Sequence, residues 1–168
     1  FPTTIYVGEM VDHQKYRKEF NKVYPKYDYE ETSWDNTVSE NLGKPFIHLE
    51  DNLDSLFYEI SLHAKKYVCD VLEYKDIFDY VITKSWLSRA RRPDNEIRWH
   101  FHSTSHISFV YYLSTPNNSH TLEFQNTCTK NDLFKAMNVE DEDTADRNMV
   151  KNYNPLNSPA FYMHPIEG

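Results

Sequence analysis

Between Asn52 and Leu72, apolar side chains recur at Leu53, Leu56, Phe57, Ile60, Ala64, Tyr67, Val68 and Val71. From Tyr80 onward this three-four rhythm gives way to a period of two. The first pattern puts one apolar stripe on a helix, and the second puts alternate side chains on one face of a strand. Asp51 is placed to cap the helix, and Asp54 favours its first turn. A looser helical spacing runs from Asp12 to Tyr24, through Tyr16, Phe20 and Val23. Helices first and strands afterwards predict an α+β domain with a jelly-roll or β-barrel core and N-terminal helices packed on it.

The expected strands are Thr3 to Val7, Val81 to Leu87, Arg98 to His102, Ile107 to Leu113, Thr121 to Phe124 and a last one starting at Phe161, with Phe46 to Leu49 extended. Thr121 to Phe124 is expected to return as the hairpin partner of Ile107 to Leu113, across the turn Pro116-Asn117-Asn118-Ser119. Pro25 to Lys44 reads as a polar loop with room for one short strand. Asn126 to Pro159 is long and polar and carries the acidic run Glu140-Asp141-Glu142-Asp143; a stretch of that kind is expected as a lid, a binding loop or disorder. With 168 residues the chain is sized for a single domain. The 3 glycines leave turns to Asn, Asp, Ser and the 8 prolines.

A net charge of −8 argues against a nucleic-acid partner, and Arg89, Arg91 and Arg92 are too short a cluster to reverse that. Two cysteines, Cys69 and Cys128, make no disulfide framework, and Cys69 is expected as a buried thiol. No span-length apolar run or signal peptide is seen, so no membrane partner and a cytoplasmic location are expected. The chain begins at Phe1 without an initiator Met, so at least one end is expected to be trimmed.

Three of the eight histidines fall in RWHFHSTSH, Arg98 to His106. On a strand, His100 and His102 project from one face and their ring nitrogens can meet one ion. Such a pair is half of a facial metal site that keeps positions open for substrate or oxygen. The other reading is a pair of strand histidines satisfied by local carbonyls, and H-x-H alone does not separate the two. His164 could return to the site as a third ligand. His106 suits a supporting or exposed position, and His63 and His120 suit structural or solvated ones. Arg98, two residues before His100, either faces the cavity or lies on the exposed side.

The order Ser85-Trp86, His100-Phe101-His102, Ser108-Phe109-Val110-Tyr111-Tyr112-Leu113, Leu122-Glu123-Phe124 and Pro165-Ile166-Glu167-Gly168 resembles the 2-oxoglutarate/Fe(II)-dependent oxygenases. It is most similar to their poorly characterised bacterial and phage branch near the prolyl 4-hydroxylases, whose opening FPTTIYVGEM also resembles. The resemblance implies a double-stranded β-helix, ferrous iron on His100 and His102, 2-oxoglutarate and oxygen as cosubstrates, and ascorbate as a compatible reductant. It implies hydroxylation of a C–H bond in a peptide, prolyl peptides included, or in a small molecule. Tyr112, the second Tyr of Y-Y-L, would reach a 2-oxoglutarate carboxylate; its alternative is a core tyrosine with its hydroxyl at the rim.

The sequence departs from the family at three places. His102 stands where most members have Asp. Phe109 replaces the usual Gly after Ser108 and is expected to crowd the strand. The distal histidine and the 2-oxoglutarate-binding arginine belong after the P-x-x-G ending, so the last strands are expected to be missing and the isolated chain to turn over weakly or not at all. Two other functions fit the same residues: a cupin-type metal protein without 2-oxoglutarate, and a non-catalytic β-domain such as a phage accessory module.

Overall fold

The computed structural model describes residues 4–23, 30–31, 38–40, 46–90, 95, 97, 100–102, 105–116, 121–125 and 160–168. Trp34, Arg98, Trp99, His120 and the whole 126–159 insert, Cys128 included, lie outside these, as does Thr3 at the start of the first expected strand. The described chain forms two units, one from residues 1–5 and 117–165, the other from residues 6–116 and 166–168.

The larger unit is organised by its helices. Helix α1 spans His13–Val23, and the backbone N–H groups of Lys15 and Tyr16 both donate to the Asp12 carbonyl at its start (2.8 and 3.1 Å). It buries Tyr16, Phe20 and Val23, four and then three residues apart, as the sequence spacing requires. Helix α2 spans Asp54–Lys66 and continues as a π-helical turn, Tyr67–Val71. Its stripe Leu56, Phe57 and Ile60 joins Leu53, Met10, Ile47, Leu87 and the α1 residues in one core, with Ile82, Tyr111 and Leu113 packed against it.

Asp51 does not cap α2. A 3-10 turn, Asp51–Leu53, precedes the helix, so the cap position falls on Leu53, which is fully buried and makes no side-chain cap bond. Burying Leu53 outweighs the lost cap, because full burial of such a side chain is worth about 1.5–3 kcal/mol against ~1 kcal/mol for a cap. At the other end, the Leu72 N–H donates to the Tyr67 carbonyl and the Tyr74 N–H to that of Val68, both at 3.0 Å. Glu73 between them takes a left-handed backbone, φ 57°. Glycine normally serves this position at a helix end. Cys69, on the π turn, is half-buried, not fully buried.

Among the described residues, strands are fewer than the alternation suggests. In the larger unit, β1 (Glu30–Glu31), β2 (Val38–Glu40) and β3 (Ser88–Ala90) form an antiparallel sheet in that order. Residues 4–7, 81–84 and 107–113 form no ladder, and Ile47–Leu49 is a 3-10 turn rather than an extended segment. The run from Ile107 to Leu113 still follows its pattern at its end: Tyr111 and Leu113 reach the core. Phe109 is 43% exposed, so the residue expected to crowd the strand points to solvent instead.

The smaller unit contains β4 (Leu122–Gln125) and β5 (Ala160–Met163), paired antiparallel with Leu122 opposite Met163 and Phe124 opposite Phe161. Both segments were expected as strands, but β4 pairs with β5, not with Ile107 to Leu113. Glu123 and Tyr162 are directly opposed, and the hydrogen bond to Glu123 raises the Tyr162 pKa. No helix among the described residues is long and apolar enough to cross a membrane.

A candidate histidine metal site

The segment that presents the site is set by Ser85, which is buried. Its backbone makes an isolated bridge to Phe46, and its carbonyl accepts the Ile47 N–H at 3.3 Å. Its hydroxyl accepts the His48 N–H at 3.0 Å and lies 2.7 Å from His48 Nδ1. Burial lowers the His48 pKa, which favours the neutral ring that can accept the Ser85 hydroxyl proton. Ser85 and Leu87 point inward and Trp86, between them, points out, as the two-residue alternation dictates.

Trp86 meets the histidine pair. Its ring lies 5.6 Å from that of His102, and the Lys84 ammonium stands over the Trp86 ring, 4.9 Å from its centroid. The rings of His100 and His102 are 5.0 Å apart and perpendicular. Two imidazoles bound side by side to one ion, with metal–nitrogen distances of about 2.1 Å, would have centroids roughly 4.6–5 Å apart. The spacing admits a shared ion and is equally that of an edge-to-face ring contact. Packing of the His102 ring, then the neighbouring His100 and Lys84 charges, lower its pKa and favour the neutral, ligating form. Both rings are open to solvent.

Among the described residues, no third His, Cys, Asp or Glu joins them in a group able to hold an ion. His164 is exposed and belongs to the smaller unit. His106 is exposed on a bend. His63 lies on α2, where its Nδ1 is 2.8 Å from the Tyr6 hydroxyl, in keeping with a structural role. Tyr112 is half-buried and this burial raises its pKa, so its phenol stays a proton donor near neutral pH. Its backbone carbonyl accepts the Gly168 N–H at 3.1 Å.

A second polar cluster has no counterpart in the sequence reading. His13, Arg17, Tyr111 and Thr115 gather around the Glu167 carboxylate. His13 and Arg17 are four apart and share a face of α1, a spacing visible in the sequence. Their partners lie about a hundred or more residues away, so only the fold brings them together. No protein-family model, curated protein or solved structure matches the chain.

Proposed function

We propose that the protein is an Fe(II)- and 2-oxoglutarate-dependent dioxygenase of the double-stranded β-helix class, acting in the cytoplasm on a C–H bond of a peptide or small molecule. The observation that carries this reading is the perpendicular His100–His102 pair, 5.0 Å apart beside Trp86. The motif order from Ser85-Trp86 to Tyr111-Tyr112-Leu113 supports it. His100 and His102 would hold the iron, which supplies the oxidative chemistry when bound with 2-oxoglutarate and oxygen.

The chain's own residues have narrower tasks. Ser85 fixes the segment that carries Trp86. Trp86 covers one side of His102 and limits how far its ring can turn. A neutral His102 offers a nitrogen lone pair at lower pH than an unperturbed histidine would. Tyr112, protonated, would donate one hydrogen bond to a 2-oxoglutarate carboxylate without adding charge.

Iron-dependent conversion of 2-oxoglutarate to succinate tests the proposal. Weak succinate formation is expected with Fe(II) and none without it. Tyr112→Phe should weaken the apparent 2-oxoglutarate affinity about 3- to 10-fold, the worth of one hydrogen bond. Metal binding with no succinate, across candidate substrates, would leave a cupin-type metal protein. Absence of both would leave a non-catalytic β-domain.

A further inference from the structure

The Glu167 carboxylate is held by groups that do not belong to its own segment. Arg17 donates to Oε1, His13 Nε2 lies 3.2 Å from that same oxygen, and the Thr115 backbone N–H points at Oε2 from 3.5 Å. His13 Nδ1 is 2.7 Å from the Tyr111 hydroxyl. That phenol stays protonated, its pKa pushed up to about 12 by burial and by the nearby Glu59 and Glu167. In the tautomer where the phenol donates to Nδ1, the His13 N–H is on Nε2, facing the carboxylate.

These donors are anchored without Glu167. Helix α1 is pinned to the core by Tyr16, Phe20 and Val23, and the 111–115 segment by Tyr111 and Leu113. The His13 side chain is only 12% exposed, whereas Arg17 is 41% exposed and leaves a way in from solvent. The cradle also sits by the first turn of α1, which favours an anion. The tripeptide Ile166 to Gly168 adds one backbone bond, Gly168 N–H to the Tyr112 carbonyl. Gly168 has φ 115°, and a Cβ there would lie 3.6–3.9 Å from the His13 ring. Withdrawing this tripeptide would leave a guanidinium and an imidazole nitrogen at the place of one carboxylate oxygen and a backbone N–H near the place of the other.

We propose that His13, Arg17 and the Thr115 N–H form a carboxylate-binding site, filled in cis by Glu167 and able to take a carboxylate from another molecule when Glu167 is withdrawn. The residues are distinct from the histidine pair, and the site does not depend on the oxygenase reading. The ligand is a single carboxylate, from a small acid or from a glutamate in an extended peptide.

The test uses the full chain carrying Glu167→Ala, with sodium acetate as probe against sodium chloride at equal ionic strength. The Thr115 amide and His13 ring signals are followed by NMR. Saturable shifts are expected in Glu167→Ala and are expected to disappear when Arg17→Met is added. In the native chain the apparent acetate affinity should be weaker, by one plus the ratio of the tethered carboxylate's effective concentration to its own dissociation constant. A capped Ile-Glu-Gly peptide forms the second arm. If it binds more tightly than acetate the source is a peptide, and equal binding indicates a small acid. Folded Glu167→Ala that gives no saturable shift, equal shifts in the native chain, or shifts that survive Arg17→Met would overturn the proposal. If Glu167→Ala is unfolded in chloride, acetate must refold it; failure to do so overturns the proposal as well.

Discussion

Tyr16→Phe removes one hydroxyl from the junction of α1 and α2 and keeps the ring that fills the core. Tyr16 is 4% exposed, and its hydroxyl donates to Glu59 on α2. Burial, and then Glu59, push its pKa well above the ordinary tyrosine value, so it remains a donor throughout the neutral range. A hydrogen bond to a charged acceptor contributes about 1.5–3 kcal/mol. Glu59 would still accept the Val11 backbone N–H at 2.6 Å, so no bare carboxylate is left behind. The loss should therefore fall in the lower part of that range, about 1.5–2 kcal/mol. For a chain of this size that lowers Tm by roughly 3–8 °C. Urea unfolding followed by circular dichroism would measure it. In a Glu59→Gln background the same change should cost under about 1 kcal/mol, since a neutral acceptor makes the weaker bond. A loss below about 0.5 kcal/mol, or an equal loss in both backgrounds, would refute the assigned bond.

Two further outcomes concern stability. Glu73→Gly should stabilise the fold by about 1 kcal/mol in the same urea assay, because the left-handed backbone that strains a side chain suits glycine. Glu167 is held below the usual carboxylate range, first by its hydrogen bond to His13 and then by the Thr115 N–H and Arg17. Its stabilisation is thus present above the unfolded-state carboxylate pKa and is lost as pH falls through the lower folded value. Stability measured from pH 7 to pH 3 should accordingly fall less steeply in Glu167→Gln than in the native chain.

The helices were legible because their burial is periodic and local. Tyr16, Phe20 and Val23 sit three and four apart, as do Leu53, Leu56, Phe57 and Ile60, and all seven are buried. Cap and strand expectations failed where longer-range contacts decide. Asp51 lost the cap position to a turn that buries Leu53. Ile107 to Leu113 has strand composition, but a strand needs a partner, and β4 has Ala160–Met163 as its own. H-x-H placed two rings together, since residues two apart are close in any extended segment. Nothing local announced that Trp86 would lie against His102, or that Glu167 would reach His13 and Arg17. Those contacts join residues 16 to 154 positions apart.

Calorimetric titration with Mn(II), as a stand-in for Fe(II), tests directly whether His100 and His102 act as a pair. The native chain should bind one equivalent. His102→Asp should keep binding, since a carboxylate ligates such ions and adds charge neutralisation. His100→Ala should lose at least about 100-fold in affinity, because losing a ligand costs more than losing the 10- to 100-fold support of an outer partner. Bound Mn(II) should also quench Trp86, whose ring lies 5.6 Å from that of His102. A His100→Ala protein that binds Mn(II) with native affinity would contradict the metal site.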